Sequence, residues 1–474
     1  MSVKILLANP PGPWLRCRWD IKFGEGKNRY FPYPVRLAYA TSLLKKNNYE
    51  THLIDATAEE LTREQFIEIF KKIDPDLVVW ETVASSFDYD IETMKILKKI
   101  KPKTLIGVSG YHASAAFKEC VESGYDFAIV GECEYSILEL AQWIDKKIKK
   151  FPPGVFMKGH KFKVRELIKN IDELPWPERD SLPMKKYNDP KLKGFNVVLI
   201  SSRGCPWGCS FCTVPVYYGR PNYRMRDPKD VVAEMKYLWE KYKPDELYFD
   251  DDNFAVNEKH VIDICEEIKK QNLKIKWNCM IDASVKLDLL VKMKEAGCSG
   301  ITIGGESADD NVLKHLGKPV KRKNIEEMVK FAEKIGLRTH VCWVLGLPYS
   351  SKESDKETID FAINLPSTTL QFSICTPFYG TKMQKWCEEN NYFAVKDWKN
   401  FIANQKCVIN YPNYSKEEIE ELYSYARRAW RIKMLKSPKA IFLHWYNIYK
   451  YKGLLEIPRS SLRTLKSIFF KGSY

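Results

Sequence analysis

Six apolar segments recur along residues 196–375: Asn196–Ser202, Glu246–Asp250, Lys274–Cys279, Gly300–Gly304, Arg338–Leu345 and Thr369–Cys375. Their starts are 50, 28, 26, 38 and 31 residues apart. The stretches between them, such as Pro228–Tyr242 and Glu258–Gln271, read as amphipathic helices. Parallel strands need a crossover of this length, usually a helix. Six βα units in succession therefore predict a partial (β/α)6 barrel over 196–395. Ligands of such architectures gather at the carboxyl ends of the strands, so the residues that follow each strand are the candidate site.

A second alternation precedes it. Val3–Ala8, Glu50–Ile54, Leu77–Trp80, Thr104–Ser109 and Phe127–Val130 read as strands. Helices are expected at Leu37–Asn47, Thr62–Lys72, Ile91–Ile100, Ala113–Glu122 and Ser136–Lys147. The pattern predicts an α/β, doubly wound parallel sheet of Rossmann-like type over residues 1–148. Its ligand loops would be Asn9–Gly12, Glu81–Ser86, Gly110–Ser114 and Gly131–Glu134. Residues 149–195, rich in Pro, Lys and Gly, are expected to be an extended linker, because Pro175-Trp-Pro177 disfavours helix. Residues 396–474 are expected to form a helical, basic and aromatic end.

Directly after the first barrel strand runs Arg203-Gly-Cys205-Pro-Trp-Gly-Cys209-Ser-Phe-Cys212. Three thiolates on one short loop can ligate three irons of a [4Fe–4S] cube, for which four cysteines are the full set. No cysteine or histidine within ten residues offers a fourth ligand. The fourth iron is thus open to a ligand that is not protein. A structural zinc site would need that missing ligand.

The C-x3-C-x2-C spacing, with an aromatic, Phe211, before its last cysteine, resembles that of the radical S-adenosylmethionine (SAM) enzymes. The resemblance implies that Cys205, Cys209 and Cys212 hold a catalytic cluster whose open iron chelates SAM. One electron then cleaves SAM to a 5′-deoxyadenosyl radical, which abstracts hydrogen from substrate. It also implies an electron donor such as flavodoxin or ferredoxin. After the second strand comes Asp250-Asp-Asp252; the family accepts the SAM amino group there, and Asp250 and Asp252 are favoured because strand alternation points them alike. Glu306 and Ser307, after the paired glycines Gly304 and Gly305, are candidates for the ribose or amino-acid moiety of SAM. A helix cap at Ser307 is the compatible structural reading. Gly346 and Tyr379 follow the fifth and sixth strands and resemble adenine-packing positions. Arg203 and Arg338 could neutralise cluster or carboxylate charge, or lie on the surface. The aromatic, basic loop Thr213–Arg226 could line the substrate entrance or simply pack over the barrel mouth.

The first 140 residues resemble the cobalamin-binding domain found ahead of many radical SAM cores, through Asn9-Pro-Pro11, Gly110-Tyr-His-Ala113 and Val130-Gly-Glu-Cys-Glu134. Asn9, Pro10, Ser85, Gly110, His112, Gly131 and Glu132 are the candidate cofactor contacts. The Asp-x-His-x-x-Gly signature of a lower histidine ligand to cobalt is absent, and His112 has no Asp two residues before it. The resemblance implies radical methylation at an unactivated carbon, with ring formation or contraction, or oxidative cyclisation, as the alternative. RNA modification is the other class weighed. Its enzymes carry a second cysteine-bound cluster in the N-terminal domain, where this chain has only the widely spaced Cys17, Cys120 and Cys133.

Charge is uneven. Of the net +15, the segment from Arg427 to Tyr474 supplies +11: twelve Lys/Arg against Glu456 alone. Interleaved aromatics such as Trp445, Tyr446, Tyr449 and Tyr451 make this a candidate for an anionic membrane surface or a lipid-like hydrophobic substrate. No nucleic-acid module accompanies it, and none is expected to bind. No apolar run reaches the roughly 18 residues of a spanning helix, and Met1–Pro10 does not read as a secretory signal. Thirteen cysteines, mostly scattered singly in apolar segments, suit a reducing, cytoplasmic location, peripheral to the inner membrane face if the tail binds there.

Overall fold

The strand β1, Ile5–Asn9, is buried at all five positions. A run without polar alternation belongs inside a sheet covered on both faces. In the computed structural model, which describes residues 3–12, 33–187, 189, 192, 194–397, 400–402 and 406–436, β1 lies between β2 (Thr51–Asp55) and β3 (Leu77–Glu81). Ile5 sits opposite both Thr51 and Leu77. Then follow β4 (Leu105–Ser109), β5 (Phe127–Ile129) and β6 (Val155–Met157), in the order β2-β1-β3-β4-β5-β6. The first five strands are parallel and β6 is antiparallel to β5. The doubly wound α/β expectation holds, with one addition. The expected linker donates β6 to this sheet, because Val155 and Phe156 meet Ile129 and Ala128 while its prolines stay outside the ladder.

The second sheet holds β7 (Asn196–Leu199), β10 (Glu246–Phe249), β11 (Trp277–Asp282), β12 (Cys298–Glu306), β13 (Arg338–Leu345) and β14 (Thr369–Ile374). Between β7 and β10 a short antiparallel ribbon pairs β8 (Ser202–Arg203) with β9 (Arg224–Met225). The sheet order is β14-β13-β12-β11-β10-β7, parallel throughout and open at both edges. Local chemistry sets the crossovers. Asp227 caps the helix Pro228–Tyr242 by accepting from the Lys229 N–H, Pro228 occupies the first turn, and Lys243 ends it in the left-handed region.

Several boundaries shift from those expected, and three differences bear on the site. The stretch Ala113–Glu122 is not one helix but two, Tyr111–Ala115 and Phe117–Glu122. The break turns Phe117 onto Phe156 and Phe162. The third barrel strand ends at Asp282 rather than Cys279, since Met280–Asp282 stay in register with Thr302–Gly304. The linker is a packed strap. Trp176 donates to Asp230 and packs on Tyr237, Tyr187 donates to Asp55 of the first sheet, and the buried Arg179 pairs with Glu234 on the helix Pro228–Tyr242. The largest apolar core includes Leu37 and Leu140 of the first unit together with Leu199 and Leu247 of the second.

Of the end expected to be helical, the described residues 406–415 are irregular, with an isolated bridge between Tyr411 and Tyr414, and the helix begins at Lys416. Lys416–Leu435 is a helix with a Ser415/Glu418 capping box, packed through Ile419, Leu422, Tyr423 and Ala426. The remainder of the charged tail, 437–474, and Cys17 lie outside the described residues. No helix among the described residues is long and apolar enough to cross a membrane.

Candidate active site

The loop after β8 carries the three cysteines, and its path depends on Gly204. Gly204 has φ +90°, and a Cβ there would lie 2.4 Å from the side-chain oxygen of Asn222. The Gly204 N–H donates to Asp252 at 2.8 Å. The neighbouring Asp251 turns away from that loop and accepts from Ser201 N–H, Ser201 Oγ and Ser202 Oγ. Asp250 is buried at the end of β10. The acidic triplet therefore splits: Asp251 braces strand ends, and Asp252 orients the cysteine loop.

Cys205, Cys209 and Cys212 are half-buried and unbridged. Burial pushes the Cys205 thiol up to about 12 and also raises Cys209, where the Lys318 ammonium works the other way. The Val214 N–H donates to Cys212 Sγ at 3.5 Å, which suits a thiolate acceptor. Phe211 packs against the core. Among the described residues no three His, Cys, Asp or Glu side chains are spaced around a single ion. Zinc would draw its sulfurs to within about 4 Å of one another, given Zn–S bonds near 2.3 Å. The donor set fits a cluster in which each thiolate meets its own iron.

Glu306 closes β12 in the left-handed region, φ 63°, beside an irregularity in the β12–β13 register. A non-glycine residue held there signals a local requirement. Its carboxylate accepts from Lys318 Nζ at 2.6 Å, and Lys318 also donates to the Gly304 carbonyl at 2.7 Å. Burial opposes the charge on Lys318, but Glu306 and Cys209 outweigh it and raise its pKa. Ser307 is 1% exposed, with its hydroxyl between Thr358 and the Asp309 N–H, the geometry of the turn reading. Gly346 has φ +73°; its N–H donates to Asp355 and its carbonyl accepts from Tyr411. Tyr379 is half-buried at the junction of the two units, next to Gly380, where a Cβ would meet Ala115 and Val216.

Two functional-looking residues escaped the sequence reading. Asp282 accepts from Trp207 Nε1 at 2.8 Å and Asn253 Nδ2 at 2.6 Å. Burial opposes its charge, yet Ser284, Trp207 and Asn253 hold its carboxyl below the usual range. Ending the third strand at Cys279 hid it. Lys318 lies twelve residues beyond Glu306 in an unremarkable turn, so no local pattern marks it.

At the carboxyl edge of the first sheet, Asn9 and Ser85 are buried, and Asn9 Oδ1 and Ser85 Oγ have no hydrogen-bond partner among the described residues. The Pro10 carbonyl accepts from Thr57, Gly110 has φ +100°, and the Gly131 N–H donates to Ser114. Buried orphan polar atoms are rare in folded proteins, and here they mark an edge that fits a large polar ligand. His112 is packed edge-on against Phe87, and burial lowers its pKa to about 4, leaving a neutral ring in the packing layer. Glu132 does not face that edge. It accepts from Arg203 at 3.0 Å and Arg224 at 2.8 Å, while Glu134 lies 2.7 Å from Arg203. Arg203 is therefore no surface residue: it ties the cysteine loop to the first unit. Arg338 pairs with Glu246 at the amino ends of β13 and β10, away from the cysteines. The loop Thr213–Arg226 packs at the junction, with Arg36 between the rings of Tyr111 (4.4 Å) and Tyr217 (3.9 Å).

The chain matches the radical SAM superfamily over residues 199–362 and the B12 binding domain over 26–141. It is 31% identical over 448 residues to an uncharacterised methyltransferase of Pyrococcus horikoshii, covering 90% of this chain and 94% of that protein. The chain belongs to the radical SAM superfamily. Its second unit is the radical SAM domain and its first a B12-binding domain, so this radical SAM enzyme uses a [4Fe–4S] cluster and SAM and carries a domain for cobalamin. It is also 26% identical over 362 residues, 73% of this chain and 58% of the relative, to an anaerobic magnesium-protoporphyrin IX monomethyl ester cyclase of Cereibacter sphaeroides. The fold resembles that of a cobalamin-dependent SAM radical enzyme solved with aqua-cobalamin and SAM bound. That likeness has a TM-score of 0.72 at 15% identity and covers 99% of this chain and 72% of that one.

Proposed function

We propose that this radical SAM enzyme methylates an unactivated carbon of a lipid or isoprenoid-like substrate in a cobalamin-dependent reaction. The carrying observation is the Arg203–Glu132/Glu134 clamp, which joins the turn after β5 to the loop that follows β8. The carboxyl ends of both sheets thus share one junction, where a methyl source and a radical source can serve the same carbon. When bound, the cluster with SAM supplies the hydrogen-abstracting radical and the cobalamin supplies the methyl group.

In this reading Cys205, Cys209 and Cys212 ligate iron, and Asp252 holds their loop through Gly204. Asp250, Asp252, Glu306, Ser307, Gly346 and Tyr379 bind SAM. Lys318 places a buried positive charge beside Cys209 and Glu306, where it can pair with the SAM carboxylate. Asn9, Pro10, Ser85, Gly110 and Gly131 line the cobalamin edge, and the Tyr111–Arg36–Tyr217 stack keeps water from the junction. Oxidative cyclisation is the second reading, favoured by the cyclase relative.

The lipid assignment draws on the C-terminal helix. Tyr425, Ile432 and Leu435 are exposed on it, and Arg428 falls on the same side at helical spacing. An exposed apolar stripe with basic neighbours suits an anionic bilayer surface. We expect the full chain to co-sediment with vesicles containing phosphatidylglycerol and a form ending at residue 426 not to. Equal sedimentation of the two, or none by either, removes the membrane part of the reading.

A further inference from the structure

We propose that the outer side of the cysteine loop is the docking site of an acidic one-electron carrier protein, centred on Lys382, Lys385 and Lys314. Two surface segments hold the loop next to Cys209. The Ser210 N–H donates to the Leu316 carbonyl at 3.0 Å, and the Met383 N–H donates to the Ser210 carbonyl at 2.9 Å. Lys382 lies closer still: a Cβ on Gly208, the residue before Cys209, would be 3.7 Å from its Nζ. The remaining sides of the loop are covered. Arg203 ties one to the first unit, and the Gly204 N–H ties another to Asp252 after β10.

Both segments present an exposed face. Lys314, His315, Gly317, Lys382 and Lys385 are exposed. Neither Lys314 nor Lys382 is paired with a carboxylate among the described residues, and Lys385 meets Glu389 only at 3.7 Å. The acids of the helix Lys382–Glu389, Glu388 and Glu389, lie at its far end. Beside the lysines runs an aromatic ladder. His315 stacks on Tyr349 with centroids 4.2 Å apart, Tyr349 on Trp386 at 5.6 Å, and Trp386 meets Tyr392 edge-on at 5.0 Å. Tyr349 is 57% exposed yet held at φ +67°. Such a conformation is strained for a bulky residue, and the rings of His315 and Trp386 hold Tyr349 in it at the surface.

Charge names the partner. Unpaired lysines around an aromatic patch complement an acidic protein surface, steering its approach in a salt-dependent way. The carrier gives up one electron to the cluster and is itself oxidised by one electron. The proposal rests on the cluster assignment, and the experiment separates the two.

The test compares two reductants, dithionite and a flavodoxin kept reduced by NADPH and its reductase, with 5′-deoxyadenosine as the readout. For the double variant K382E/K385E we expect iron content and dithionite-driven cleavage to match wild type. Flavodoxin-driven cleavage at subsaturating carrier should fall roughly tenfold, and the wild-type decline with added salt should flatten. A second variant, K314E, should do the same to a lesser degree. Unchanged flavodoxin-driven rates, or equal losses with both reductants, would overturn the docking site. Absence of dithionite-driven cleavage in the wild type would overturn the cluster assignment and the docking site with it.

Discussion

Replacing Cys209 with alanine will strip the chain of its iron–sulfur absorbance and abolish SAM cleavage, with no residual turnover above background. The argument is one of coordination. Three thiolates hold three irons of a [4Fe–4S] cube, and no further cysteine stands near the loop to substitute. The loss also changes the charge balance, because Lys318 is buried against Glu306 and Cys209 and loses one of the groups that favour its charge. Cys265, a buried thiol on the helix Glu258–Lys270, provides the control. The C265A variant removes a more deeply buried thiol from outside the loop and should keep full iron. Iron retained by C209A, or lost equally by C265A, would contradict the assignment.

The second large effect is expected from E132A. The substitution leaves Arg224 with no counter-charge, only the Asn222 side-chain oxygen and the Ile168 carbonyl, and leaves Arg203 with Glu134 as its single counter-charge. All three clamp side chains are at most 12% exposed. Although burial disfavours its charge, Arg203 and Arg224 together hold the Glu132 carboxyl below its usual range. Removing one partner of a buried pair costs about 3–5 kcal/mol, because a charge is left without compensation. An exposed pair such as Lys259–Asp263, with Lys259 82% exposed, is worth about 0.3–0.5 kcal/mol. Urea unfolding should therefore show a large loss for E132A and almost none for K259A. A chelator should also strip iron from E132A faster, because Arg203 stands two residues before Cys205. Matching midpoints for the two variants would show that the clamp does not hold the loop.

Much of the fold could be read from the sequence because its determinants are local. Continuous apolar runs such as Ile5–Ala8 and Val341–Leu345 identify buried parallel strands, and Asp227-Pro228 marks a helix start to the residue. The cysteine spacing and the strand-end acids are equally local. What escaped depends on distance in sequence. Glu132 and Arg203 are 71 residues apart, and neither shows in isolation that the other is its partner. The strand β6 sits inside a proline- and lysine-rich stretch whose composition argues for a linker; only its antiparallel pairing with β5 makes it a strand. Asp282 was hidden because Lys274 and Lys276 suggested an earlier strand than the one that pairs with β12. The split of the acidic triplet was half legible. Alternation separates Asp251 from its neighbours, but only the hydroxyls of Ser201 and Ser202 explain where it goes.

The most direct test of the central claim is the metal content of the full chain after anaerobic reconstitution with iron, sulfide and hydroxocobalamin, followed by removal of free pigment. One bound cobalamin beside one cube gives about one cobalt for every four irons, and this is the ratio the account predicts. Iron at that level with no retained cobalt would contradict it, and would move the chemistry from methyl transfer to cyclisation.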